Sequence, residues 1–184
     1  MALELARALA ATERDDNLHM ARLLLLMVAH AGRKSRPVEG LTKLAKLDFL
    51  LRYPNCLERA LTSAGQDSRK ANVADFERTT IESKMVRFRY GPWDHRYRRW
   101  VALMAARGLV VVDVKGKTVQ LWPTQEGHAM ATVLADQEPL EGLATRAKLV
   151  AKSFGHRSGT DLKNFVYATF PELTDMKWGE EIAI

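Results

Sequence analysis

Apolar residues recur at helical spacing along most of this chain and alternate at strand spacing only near its middle. Residues 2–11, ALELARALAA, are strong helix formers and predict a short helix within an N-terminal arm, 1–16. Residues 18–31 are apolar on nearly every side, which predicts the most buried helix of the fold. His19 and His30 flank it and read as satisfied edge histidines. A polar loop over 32–40 leads to a helix over 41–52. There Leu41, Leu44, Ala45, Leu47 and Leu51 make an inner side, with Lys43 and Lys46 outside. Tyr53-Pro54 ends or kinks it, because the residue before a proline is biased away from the helical region. Residues 55–64 can form one further helix. The segment 65–83 has no clear period and reads either as cover for a partner or as a mobile loop.

The chain is organised around residues 84–127. Residues 85–90 predict a short basic strand broken by Gly91-Pro92, with Pro92 presetting φ for a helix start. The helix is predicted over 93–107. Trp93, Tyr97, Trp100, Val101 and Met104 share one face, and His95, Arg98 and Arg99 share the other with Ala102 and Ala106. Gly108 sits where a glycine ends a helix. The Val-rich run 109–114 predicts a strand, Lys115-Gly116-Lys117 a tight turn, and 118–122 the return strand. Thr124 is a plausible N-cap for a helix over 125–136. Strand, helix, hairpin and helix in this order are the second half of a winged helix-turn-helix, with 115–117 as the wing.

Beyond the wing, Pro139 and Gly142 mark a boundary. A second helix is predicted over 143–154, a break over 155–159, and a third helix capped by Thr160 and closed by Pro171. The tail 172–184 holds Glu172, Asp175, Glu180 and Glu181 against Lys177, and ends in apolar residues. It reads either as an anchor or added strand for a partner, or as packing on its own domain. The expected fold is therefore mainly α with a small β-hairpin wing: a winged helix-turn-helix-like core plus additional C-terminal helices. The expected divisions are an arm at 1–16, a winged-helix-like domain at 17–137, and a helical extension with an acidic tail at 138–184.

Charge sharpens the reading of the centre. Six basic residues between 84 and 99 (Lys84, Arg87, Arg89, Arg96, Arg98 and Arg99) face one acid, Asp94, in a chain of net charge +6. A helix with a basic outer face fits a major groove, and Lys115 and Lys117 of a wing reach backbone phosphates. The same face, with His95, can equally be a solvated basic surface used for protein contacts. The outer face carries no Asn or Gln to read adenine edges, so any DNA contact is expected to be to the backbone.

Catalytic chemistry is not legible. The five histidines are isolated from one another, and no HExxH, CxxC, GxSxG, P-loop or GxGxxG is present. Asp113-Val114-Lys115 and Glu82-Ser83-Lys84 are acid-x-Lys tripeptides that resemble the tail of a metal-dependent nuclease motif, but the pattern is common by chance and Asp113 is better explained as part of the wing. No catalytic residue, metal or cofactor is expected. The single cysteine, Cys56, reads as a core residue and suits a reducing compartment. The apolar run from Leu23 to Ala29 is too short to span a bilayer, and the N-terminus is a poor signal peptide. A cytoplasmic protein without a membrane partner is expected.

Three stretches together resemble a known family: LTKLAKLDFLLRYP at 41–54, YGPWDHRYRRWVALMAARGLV at 90–110, and SGTDLKNFVYATFPEL at 158–173. They look like the middle component of bacterial ABC-three-component systems, which include Lamassu-type antiphage defence. The resemblance implies a non-catalytic adaptor that bridges an SMC/Rad50-like ATPase and an effector, often a nuclease. The wing and basic helix would then be an auxiliary contact to double-stranded DNA or a docking face on the ATPase. The LxKLxKLxFLL, YGPW, GLV and TxEG pattern also occurs in small winged-helix regulators and antitoxins. A DNA-binding regulator acting through helix 93–107 is the competing expectation.

Overall fold

The Asp15 carboxylate accepts the Asn17 backbone N–H at 2.8 Å and starts the first helix, α1 (Asp16–Ala31). A computed structural model of the chain describes residues 15–74, 77 and 85–183. The arm helix expected over 2–11, Lys84, and the tripeptide at 82–84 lie outside the described residues. So does most of the stretch 74–83.

After α1 and a 3₁₀ turn (Gly32–Lys34) come β1 (Val38–Glu39), α2 (Leu41–Arg52) and α3 (Pro54–Ser63). The short strand β1 lies inside what the sequence presents as a polar loop. A second 3₁₀ turn (Ser68–Ala71) precedes β2 (Val86–Phe88), β3 (Gly91–Trp93) and α4 (Tyr97–Ala106). The chain continues through β4 (Val110–Lys115), β5 (Thr118–Pro123) and α5 (Gln125–Ala135). It ends with α6 (Glu138–Phe154), α7 (Gly159–Thr169) and the single turn α8 (Glu172–Asp175). The fold is mainly helical with small antiparallel sheets. No helix among the described residues is long and apolar enough to cross a membrane.

The larger sheet has the order β1-β5-β4, with Val38 and Val112 both opposite Leu121. Val110 and Leu121 point into the core, whereas Val111, Val112 and Val114 stay exposed on the outer strand β4. The smaller sheet pairs β2 with β3, Arg87 opposite Pro92. The C-terminal tail adds to its other edge. The Arg87 N–H donates to the Glu180 carbonyl at 2.8 Å, and the Ile182 N–H to the Met85 carbonyl at 2.8 Å. Ile182 is fully buried, and its carbonyl accepts the Tyr53 hydroxyl at 3.2 Å. Ile182 of the tail therefore packs on its own domain.

One continuous core runs from Met20 to Ile182. Helix α2 lies at its centre and is packed by α3, α6, α7, β1 and β3. This corrects the expected outer face of that helix. Lys43 and Lys46 are both buried, because α6, α7 and β3 cover the side that a lone amphipathic helix would leave to water.

The basic helix also starts later than its apolar spacing predicts. Gly91, at φ +102, turns the chain, and residues 91–93 run back as a strand, so Pro92 sits in β3 and not at a helix start. Asp94 then sets the turn. Its Oδ1 accepts the Arg96 N–H at 2.9 Å, and its carbonyl accepts the Tyr97 N–H at 3.3 Å. Near the C-terminus, α6 begins at Glu138 and runs through Gly142, which is no boundary. Helix α7 is capped by Ser158, not Thr160, in a reciprocal box with Asp161.

Candidate functional site

Helix α4 is fixed from below by a buried charge network that periodicity does not reveal. Asp48 on α2 is fully buried. It accepts Arg22 Nε at 2.7 Å, Arg52 Nε at 2.8 Å and the Tyr97 hydroxyl at 2.6 Å. Arg52 also donates Nη1 to Asp94 at 2.9 Å. Burial raises the Asp94 carboxyl, but Arg96 and Arg52 outweigh it and hold the group well below the usual carboxylate range. Arg22 Nη1 donates to His19 Nδ1 at 2.9 Å, which places the His19 proton on Nε2. The network joins α1, α2 and the start of α4, so the helix position is rigidly set.

The basic residues singled out in the sequence divide into two groups. Arg87, Arg96 and Arg99 are committed within the fold. Arg87 donates Nε to the Leu173 carbonyl at 2.9 Å, donates Nη1 to the Phe88 carbonyl, and lies over the Tyr167 ring. Arg96 donates Nε and Nη2 to Asp94 at 3.0 and 2.9 Å and lies over Trp100. Arg99 pairs with Asp16 at 2.7 Å.

The others face outward. Arg98 is exposed on α4 and has no ion-pair partner among the described residues. Lys115 and Lys117 are exposed at the ends of β4 and β5. Arg89 lies over the Tyr90 ring, and His95 sets its ring edge-on to Phe88 at 5.7 Å.

Arg98 and Lys117 meet across a groove of about 470 Å³. Its floor is the β1–α2 junction (Glu39, Gly40, Leu41, Thr42) with Lys46 behind it, and its wall is formed by Phe88, Tyr90, Gly91 and Trp93. The rings form a cluster, with Phe88 stacked on Trp93 at 6.3 Å and beside Trp178 at 6.1 Å. Trp178 itself is 65% exposed. Gly40 caps α2 without a side-chain bond, and Leu41 and Thr42 of the first turn of that helix line the groove.

Lys46 is the residue that sequence reasoning misplaced. Its side chain runs past Gly91, where an added Cβ would lie 3.2 Å from the lysine Cε. Its ammonium donates to the Pro92 carbonyl at 3.3 Å and has no carboxylate partner among the described residues. Burial, followed by the nearby Arg87 and Lys163 charges, pulls its pKa down from 10.5 to about 7. Glycine at 91 is the one sequence signal for this arrangement, since its φ of +102 favours glycine and a Cβ there would crowd the lysine. Among the described residues, no group of His, Cys, Asp and Glu is placed to hold a metal ion.

Asp113 belongs to the outer strand β4, and its carboxylate accepts the Val114 N–H at 2.8 Å. No protein-family model matches the chain, and no curated protein or solved structure is significantly similar to it.

Proposed function

We propose that this chain is a non-catalytic recognition subunit: the small adaptor of an antiphage defence complex, joining an SMC/Rad50-like ATPase to an effector such as a nuclease. The reading begins from the resemblance of residues 41–54, 90–110 and 158–173 to the middle component of such systems. The observation that carries it is the groove, where Arg98 and Lys117 converge with Phe88, Tyr90 and Trp93 around one acid, Glu39. Cations interleaved with aromatic rings, on a rigidly clamped frame, suit recognition of a partner. A further contact is offered by β4, the outer strand of its sheet, where Val114 is 62% exposed. The adaptor would act in the cytoplasm.

The winged-helix part of the reading draws on element order. Helix, short strand, helix, helix and hairpin follow one another as α1, β1, α2, α4 and β4–β5, with β1 on the far side of β5. Residues 53–96 are then an insertion between the second and third helices. This order also favours a second reading, a winged-helix DNA-binding regulator or antitoxin. Its DNA-facing charges would be Arg98, Lys115 and Lys117. Arg96 and Arg99 would contribute less, because both are held by acids of the fold.

Affinity purification from cells carrying the whole native operon separates the two. Co-elution through gel filtration with a large coiled-coil ATPase and a second protein is expected. Elution as a dimer carrying salt-removable DNA would shift the assignment to the regulator. In that case Arg98→Ala with Lys117→Ala would weaken DNA binding and flatten its salt dependence by about one phosphate contact per charge.

A further inference from the structure

We propose that the groove between α2, the β2–β3 hairpin and the tip of β5 binds a nucleotide, with its phosphate at Lys46 and its base against Tyr90 and Trp93. The inference deepens the recognition reading and rests on that groove being the recognition surface.

Lys46 carries the argument. A lysine that is 1% exposed is expected to have a carboxylate beside its ammonium, and this one has a single long bond to a carbonyl. The charged groups facing it are Arg87 from β2 and Lys163 from α7, both positive. Arg98 and Lys117 add positive charge at the rim, and Glu39 is the only acid among the lining residues. The local field therefore lacks a negative charge at the one buried amine that lines the cavity. A phosphate there supplies it beside the first turn of α2, whose Leu41 and Thr42 line the same cavity.

The cavity is too large for an inorganic ion alone. At about 470 Å³ it lies within the range of small-molecule sites, roughly 300–1,000 Å³. Phe88, Tyr90 and Trp93 line the same cavity, and base–aromatic stacking tolerates any base because each has a π face. Arg98 and Lys117 stand where a diphosphate or the next phosphate of a strand would run. A free nucleotide and a nucleotide within a single strand share this chemistry.

Isothermal titration calorimetry on the intact chain tests the assignment with three probes: inorganic phosphate, a nucleoside monophosphate and a short single-stranded oligonucleotide. At about pH 8 a phosphate monoester is already dianionic, so proton uptake on binding must come from the protein. A bound phosphate raises the Lys46 pKa from about 7, and the lysine takes up that proton. The monophosphate or the oligonucleotide is expected to bind at least about tenfold tighter than phosphate, with an enthalpy that varies with the buffer. Tighter binding of the monophosphate assigns a free nucleotide, and binding of the oligonucleotide alone assigns a strand.

Lys46→Met is expected to abolish both binding and proton uptake. Arg98→Ala with Lys117→Ala should weaken binding about tenfold and keep the uptake. Equal affinity for phosphate and nucleotide, absence of binding by all three probes, or undiminished binding by Lys46→Met would each overturn the proposal. The wild-type chain, purified from its operon, reports on the adaptor separately. Partners retained without nucleotide binding would leave the adaptor standing and remove the nucleotide site, and nucleotide binding without partners would remove only the adaptor.

Discussion

Asp48 and Lys46 lie two residues apart on α2, both buried, and their surroundings give them opposite energetics. Burial raises the Asp48 carboxyl, but Arg22, Arg52 and the Tyr97 hydroxyl outweigh it and hold it below the ordinary 3.8. A carboxyl with a depressed folded pKa contributes stability above its ordinary value and loses it as pH falls through the folded one. Asp48→Ala leaves Arg22 buried without its acid and takes one carboxylate from Arg52, which keeps Asp94, and should cost about 3–5 kcal/mol in urea unfolding. Lys46 behaves in the reverse way. Its folded pKa of about 7 lies below the ordinary 10.5, so between these values the unfolded chain holds a proton that the folded chain lacks. Stability should therefore rise with pH across that window, with the full penalty standing below it. Lys46→Met should stabilise the protein by about 1–4 kcal/mol at neutral pH and flatten this slope. Wild-type stability that does not change with pH across the window would contradict the burial of the amine.

Thr124 and Gly127 tie the hairpin to the helix that follows it. Thr124 Oγ1 accepts the Gly127 N–H at 2.9 Å and donates to the Gly108 carbonyl at 2.6 Å. An added Cβ at Gly127 would lie 2.1 Å from the Leu109 carbonyl oxygen, so Gly127→Ala must push α5 off the hairpin. A cost of about 1–3 kcal/mol is expected, with faster amide exchange in β4. Gly142 in α6 is the contrasting case, since nothing lies within 4 Å of its added Cβ. Gly142→Ala should stabilise by about 0.5–1 kcal/mol. Most elements were legible because their signals were local: the apolar run in α1, the Val alternation of β4, the cap at Thr124. The start of α4 was not. Trp93 and Tyr97 stand four apart, as helix neighbours do, and their rings meet at 5.2 Å, yet Trp93 belongs to β3. Spacing cannot separate a helix turn from a strand followed by an Asp-set turn. The groove was half legible. Arg98, Lys117 and the aromatic residues stand out as a basic, aromatic stretch, whereas the spacing of α2 alone points Lys46 to water, because the elements that cover it come later in the chain.

At the scale of the molecule, the C-terminal quarter completes a core that the first part leaves open. Helix α6 packs along α1 and α2, and α7 covers the side of α2 next to Lys46. Phe154, Leu162, Val166, Phe170 and Leu173 are fully buried in the same cluster as Leu23 and Leu44. The tail continues the closure. Tyr53 Oη accepts the Met85 N–H at 2.7 Å while donating to Ile182, so α2, β2 and the chain end share one hydroxyl. The hairpin that walls the groove is thus held on one edge by the tail and behind by α7. A chain ending before Glu138 would expose the apolar sides of α1 and α2 together. It should fail to unfold cooperatively and should bind a hydrophobic dye at neutral pH. A chain ending before Lys177 is the finer test. It removes the Ile182 side chain from the core, its bonds with Met85 and Tyr53, the tail's bonds with Arg87, and Trp178 from beside Phe88, a loss of about 2–5 kcal/mol. The urea midpoint should fall, the fold should remain cooperative, and the β2 amides should exchange faster than those of α1. Unchanged exchange in β2 would mean that the hairpin, and with it the groove wall, stands without the tail.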